Sequence, residues 1–407
     1  MDLVRFLGLN RLKGPWGLKK VLVVGVILVG AFSIFLARGQ RKKLILSQSR
    51  GCHFPAVYNF GDSNSDTGGR SAAFTRTHSP YGITFFGKPS GRLSDGHLII
   101  DFMVDKLGLP YLHAYLDSIG SNFRYGANFA TGGSTIQPIN GRMFEARLSP
   151  FSLDIQLLQF QQFKSRTNEL FSQGIESEIK GSLPRPEDFS EALYTLDIGQ
   201  NDLYDAMRWM TVEQVQASIS NITQKLASAV ERLYQQGARK FWIHNTGPIG
   251  CLPITVVYNP PKPEDMDDNG CLKSHNEVAQ EFNRQLKERV SSLRSQLLDT
   301  VLTYVDIYAA KYKLISEAEK HGFTNPLGYC CGHYGSYVVY CGMTTVVNGS
   351  EVYGASCTDP SEYISWDGVH YTRAANQWVA NHVLDGSFSD PPVSITQACH
   401  KHPPHSS

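Results

Sequence analysis

The chain has 407 residues, 42% hydrophobic and 18% charged, with 38 Lys and Arg against 37 Asp and Glu for a formal net charge of +1. That length admits one large core or two small domains, and the composition is that of a folded globular protein. The even charge offers no electrostatic footprint for nucleic acid and excludes that class of partner.

In chain order the first feature is residues 21–37, an apolar run without a charge. Arg11, Lys13, Lys19 and Lys20 precede it, and Arg38, Arg41, Lys42 and Lys43 follow. A positive leader before an apolar stretch marks a secretory signal. The long leader and the basic cluster behind the run suit a signal-anchor instead, since about 17–25 apolar residues span a bilayer. Residues 1–49 are therefore expected to be a basic leader with a signal peptide or signal-anchor. The rest would enter the secretory pathway and reach the extracellular space or cell wall. It would stay on the membrane if residues 21–37 are not cleaved.

From residue 50 onward, short β-prone runs alternate with longer amphipathic segments. Strands are expected at 56–60, 122–130, 192–199, 240–245 and 301–307. Helices are expected at 98–107, 153–171, 212–236, 276–298 and 307–321, where apolar residues recur at three and four. Thr211, with Glu213 nearby, and Gly237 suit the two ends of the third helix. This alternation implies βαβ units and a parallel sheet covered by helices on both faces, in one domain over 50–399. Residues 400–407 read as a polar tail.

In open sheets of this kind, sites form at the carboxyl ends of strands. Three polar, glycine-rich blocks follow strand candidates directly: 60–69 (FGDSNSDTGG), 126–134 (GANFATGGS) and 197–202 (DIGQND). A serine at such a turn, Ser63, can project its hydroxyl and its N–H toward the same spot, with Gly61 easing the bend. A glycine N–H of the second block and the Asn201 amide of the third can supply further donors for a developing oxyanion. A fourth block, 366–370 (WDGVH), sets Asp367 three residues before His370, a spacing that lets a carboxylate hold an imidazole. Taken singly, each block is also an ordinary turn or a surface pair.

Taken together and in this order, the blocks resemble the GDSL esterase/lipase family, whose SGNH-type members are named for a Ser, Gly, Asn and His in such positions. The resemblance runs from about residue 53 to 399. It is nearest the plant branch that includes early nodulin-like esterases, through FPAVYNFGDSNSDTGG, GANFATGGSTI, LYTLDIGQNDL and WDGVHYT. It implies a flavodoxin-like three-layer α/β sandwich with a central parallel sheet, the SGNH hydrolase fold. It also implies hydrolysis of carboxylic esters by a Ser63, Asp367 and His370 triad. The implied oxyanion hole is made by Ser63, Gly132 (or Gly133) and Asn201. No metal or organic cofactor is implied, and the substrate is a small ester: an acyl ester, an acetylated glycoside or a lipid. Asn64 departs from the leucine of the family name. Two alternatives stand beside this reading: an α-fucosidase-type glycosidase, which needs paired carboxylates, and a non-catalytic wall protein binding glycan or lipid.

All eight cysteines follow the apolar run. In an oxidising compartment they read as disulfides, whose connectivity sequence cannot fix. Cys251 and Cys271 flank one loop and make a local pair. Cys52 and Cys399 are matched only by their places at the two ends of the domain. Cys330, Cys331, Cys341 and Cys357 crowd a segment with little periodicity, and with His333 they also read as zinc ligands, although adjacent cysteines lack the usual gap. Asn221 and Asn348 begin glycosylation sequons.

Overall fold

The computed structural model describes residues 51–139, 148–173, 178–258 and 260–401, together with residue 33. Apart from that residue, the apolar run 21–37 lies outside the described residues, as does 402–407. The chain divides after Gly51, and residues 52–407 form one unit. Among the described residues, no helix is long and apolar enough to cross a membrane.

The unit is built on a six-stranded sheet. In chain order its elements are β1 (Val57–Gly61), α1 (Ile99–Lys106), β2 (Gly126–Asn128), α2 (Leu153–Ser172), β3 (Leu193–Asp197), α3 (Gln200–Trp209), α4 (Val212–Gln235) and β4 (Lys240–His244). Then follow α5 (Pro253–Tyr258), α6 (Lys273–Gln296), β5 (Val301–Val305), α7 (Ile307–Ser316), α8 (Arg373–Leu384) and β6 (Ser389–Asp390). Strand order is β6-β5-β4-β3-β1-β2. Every neighbour is parallel except β6, which pairs antiparallel with β5 at the edge. Because β1 has neighbours on both sides, the chain turns outward in both directions from it. In such sheets that reversal is where a site forms.

The sequence explains the layers. Both faces of a parallel sheet are covered, so its strands are buried throughout, and all five residues of β1 are. Alternate side chains point to opposite faces. Tyr58 and Phe60 join Phe160, Leu226 and Phe282 of α2, α4 and α6 in one core. Val57, Leu193 and Trp242 meet Met103, Leu314 and Val379 of α1, α7 and α8 in the other. The result is the three-layer α/β sandwich expected.

Some boundaries differ from expectation, each for a local reason. The strand expected at 122–130 is only Gly126–Asn128. At Gly126 φ is +109°, and a Cβ there would lie 1.9 Å from the Val57 carbonyl oxygen, so only glycine lets the chain close onto β1. The helix expected at 307–321 ends at Ser316, and a 3₁₀ turn, Ala318–His321, follows it. At the start of α4 it is Gln214, rather than Glu213, that closes a reciprocal box with Thr211. Helices α3, α5 and α8 and the edge strand β6 had no expected counterpart.

All eight cysteines are oxidised: Cys52–Cys399, Cys251–Cys271, Cys330–Cys357 and Cys331–Cys341. Both pairings read from the sequence occur. With all four cysteines of the 330–357 cluster in disulfides, the zinc reading of these residues is left with His333 alone and does not stand.

Candidate active site

Ser63 lies one turn beyond β1, where the ladder with β3 continues through the Asp62 N–H to the Asp197 carbonyl, 3.2 Å. Gly61 is required here by close approach, since a Cβ would meet the Asp197 carbonyl oxygen at 2.6 Å. Beyond it, the turn is fastened by carboxylates. Asp62 Oδ1 accepts from the Asn64 N–H and side-chain amide at 2.9 and 3.0 Å. Asp66 accepts four backbone N–H groups: Gly68, Gly69, Arg70 and, across the gap to the second block, Gly132 at 2.7 Å. Asn128 of β2 donates to the Ser65 carbonyl and Thr67 hydroxyl at 2.7 and 2.9 Å, and is itself held by Asn59 of β1 at 2.8 Å. Ser63 is 6% exposed. Among the described residues its hydroxyl and N–H have no hydrogen-bond partner, so the turn is held by everything except the serine.

The Gly132 N–H, one of the two glycine donors expected at the oxyanion, is given to the Asp66 carboxylate. A buried N–H committed to a carboxylate cannot also serve an oxyanion. The neighbouring Gly133, half-buried with φ at +88°, has an N–H without a partner among the described residues. Asn201, the second residue of α3, donates one amide hydrogen to the Ser134 carbonyl at 2.9 Å, leaving the other. Asp202 beside it ties down the Ile136 and Gln137 N–H groups at 2.8 and 3.0 Å. Burial pushes the Asp202 carboxyl up to about 7 against those bonds.

Asp367 and His370 do pair. Nδ1 of His370 lies 2.9 and 2.8 Å from the two carboxylate oxygens, one of which also accepts the His370 N–H at 2.9 Å. An Nδ1 facing a carboxylate carries its proton there, so Nε2 is the bare nitrogen. That nitrogen is buried and has no partner among the described residues. Tyr81 donates to Asp367 Oδ2 at 2.8 Å. Burial alone would raise the Asp367 carboxyl. The His370 charge and bonds, with the Tyr81 hydroxyl, outweigh it and hold the group below the usual carboxylate range.

No hydrogen bond joins Ser63 to His370. Their neighbours do meet at one lysine: Lys311 of α7 lies 4.4 Å over the Tyr371 ring and shares a small cavity with Asp62, Asn64 and Asp197. Burial lowers the Lys311 ammonium while Asp197 and Asp62 push it back up. Burial, then repulsion from Asp197, raises Asp62 to about 8. Sequence reasoning missed Tyr81 and Lys311. Tyr81 is 286 positions from Asp367, and a single lysine in an amphipathic helix reads as a solvated face, so neither carries a local signal.

The four blocks stand at the carboxyl ends of β1, β2 and β3 and directly before α8, and the fourth forms the Asp367–His370 pair. A model described as GDSL-like lipase/acylhydrolase matches residues 57–383. The chain belongs to that family. A GDSL esterase/lipase of Arabidopsis thaliana is 56% identical over 352 residues, covering 86% of this chain and 90% of the relative. A GDSL esterase/lipase of Zea mays is 51% identical over 358 residues, with 86% and 90% covered. A protein named alpha-L-fucosidase 3 of Arabidopsis thaliana is 49% identical over 343 residues, with 82% and 91% covered. Like the family, this GDSL chain is a serine hydrolase of carboxylic esters. The acids that a glycosidase reading would recruit, Asp62, Asp66 and Asp202, are each engaged in hydrogen bonds that fasten the turns.

Proposed function

We propose that Ser63 is the nucleophile of this esterase, His370 its general base and Asp367 the group that orients His370. The observation that carries this is the His370 ring, whose Nδ1 is held by Asp367 while Nε2 stays bare and buried. Nε2 takes the Ser63 hydroxyl proton as Oγ bonds to the acyl carbon. The oxyanion accepts from the Ser63 and Gly133 N–H groups and the second hydrogen of the Asn201 amide. On collapse the ester C–O bond breaks, and the departing alcohol oxygen takes the proton from His370. A water oxygen then bonds to the acyl carbon, its proton passing to His370 and on to Ser63 Oγ as the carboxylic acid leaves.

Turnover of p-nitrophenyl acetate tests the assignment. Ser63→Ala and His370→Ala should each lose roughly 10⁴-fold or more in kcat with unchanged melting temperature, and the double variant little further, because triad members act as a unit. Asn201→Ala should lose about 10²–10³ in kcat with KM little altered. Wild-type-like turnover in either triad variant would end this reading.

The compartment is part of the same proposal. Eight cysteines in four disulfides suit an oxidising environment. Residues 21–37 supply the route there, with release to the extracellular space or cell wall, or retention on the membrane if the run is uncleaved. Asn221 and Asn348 are exposed, as sugar attachment needs. Fractionation of the full chain, with glycosidase treatment of the product, tests this. Protein confined to the cytosol and carrying no glycan would contradict it.

A further inference from the structure

Three of the four blocks meet one buried side chain that belongs to none of them. Lys311 of α7 is 6% exposed. Its stem runs beside the chain beyond β4, where Gly247 leaves it room: a Cβ there would sit 3.0 Å from Lys311 Cδ and 3.6 Å from Nζ. Lys311 lines a small cavity together with Asp62, Asn64, Asp197 and Gln200. Asp62 and Asn64 flank Ser63 in the chain, and Gln200 precedes Asn201. The same ammonium lies 4.4 Å over the ring of buried Tyr371, the residue after His370.

The charges in that cavity need the lysine. Asp62 Oδ2 is buried and has no hydrogen-bond partner among the described residues. Asp197 Oδ2 faces the buried His244 ring at 3.5 Å. Two acids sharing one buried space repel each other, and burial penalises the charge on each. Among the described residues Lys311 is the one cation that lines the cavity. Burial works against its ammonium, while Asp197 and then Asp62 act to keep it charged. The ring face of Tyr371 attracts the same cation, and more strongly for being out of water.

We propose that Lys311 is a positioning residue of the esterase: its ammonium, set behind the Ser63 turn, holds the turns that carry Ser63, Asn201 and His370 in working register. Ser63 and His370 share no element of the fold, and Lys311 links the residues beside each of them. It has no hydrogen bond to either and acts through Asp62, Asp197 and Tyr371. The inference rests on Ser63 and His370 being nucleophile and base.

Lys311→Met keeps the stem and removes the charge. Its kcat on p-nitrophenyl acetate should fall about 10²-fold with KM unchanged, the scale of a reacting group displaced by about 1 Å. Inactivation by a serine-directed fluorophosphonate should slow by a similar factor, because that reaction also needs Ser63 and His370 in register. Tyr371→Leu removes the ring face and leaves every charge in place, so it tests the same link where Lys311→Met does not fold. Its kcat should fall about tenfold, and Tyr371→Phe, which keeps the ring, should recover most of it. A Lys311→Met protein that is less stable but keeps both rates overturns the proposal. So does a loss confined to KM, or a Tyr371→Leu protein as fast as Tyr371→Phe, and each of these leaves the triad standing. Wild-type enzyme that resists the fluorophosphonate, with Ser63→Ala still turning over, removes the nucleophile assignment and this inference with it.

Discussion

The two halves of the site are held by opposite means. The Ser63 turn hangs from the centre of the sheet, and its anchors are hydrogen bonds into buried carboxylates and amides: Asp62, Asp66, Asn59 and Asn128. The His370 loop has no strand of the main sheet beneath it. The Trp366 carbonyl accepts the Cys330 and Cys331 N–H groups at 3.1 and 2.7 Å, and the Trp366 N–H reaches the His370 carbonyl at 2.7 Å. Those two cysteines are in turn locked by disulfides. Where a parallel sheet supplies position, polar capping suffices; where chain leaves the sheet, covalent closure must replace the missing ladder.

The largest effects should come from breaking each kind of anchor. Asp66→Ala strands four backbone N–H groups. At about 1–3 kcal/mol for each buried donor left unpaired, it should lose roughly 4 kcal/mol or more of stability, measured by urea unfolding. Serine at both Cys331 and Cys341 opens a loop of 10 residues, worth roughly 3 kcal/mol in the chain-entropy account. That variant should also lose kcat, because the loop carrying His370 is what the disulfide steadies. Full kcat despite the lower stability would show that the loop holds its own shape and that the contrast is false.

The same contrast explains what could be read in advance. The five parallel strands of the sheet, five amphipathic helices and the blocks at strand ends were legible because period and turn chemistry act locally. Ser63, Asn201, Asp367 and His370 all lie in such blocks. Gly132 and Gly133 are equivalent in the sequence, and the difference between them, the Gly132 N–H bond to Asp66, is a contact across 66 positions. Tyr81 was illegible because it acts on Asp367 across 286 positions, with no local period to mark it. Helix α8 is a different miss, since Thr372 caps it through the Ala375 N–H in the ordinary way. Its start directly behind the WDGVH block drew no separate element.

A smaller effect is expected from the hydrogen bond that Tyr81 gives to Asp367. Tyr81 packs edge-on against Trp366 at 6.0 Å and donates to Asp367, so Tyr81→Phe keeps the ring and removes only the hydroxyl. A bond to a charged acceptor is worth about 1.5 kcal/mol, or about tenfold in kcat. KM should hold, and the low-field imidazole proton between His370 and Asp367 should move in the NMR spectrum. A variant less stable but unchanged in kcat and in that resonance would make Tyr81 a packing residue only.

The last effect is one of pH, and it separates the halves by sign. Asp367 is held below the usual carboxylate range, so its contribution is present above the unfolded value near 4 and is lost as pH falls through the folded one. Asp62, raised by burial and by Asp197 to about 8, does the reverse. Between pH 4 and 8 it keeps its proton when folded and gives it up when unfolded. The unfolded chain therefore binds fewer protons, and stability falls as pH rises, by at most about 1.4 kcal/mol per pH unit for one group. Asp202, raised to about 7, adds the same sign over a narrower window. Asp62→Asn has no proton to hold, and its urea midpoint should decline less than wild type between pH 5 and 8. The difference should be clearest between pH 5 and 7, where Asp62 holds its proton when folded and has lost it when unfolded. Parallel curves across that interval would mean that Asp62 is already ionised in the folded protein, with the Asn64 hydrogen bonds and Lys311 outweighing its burial.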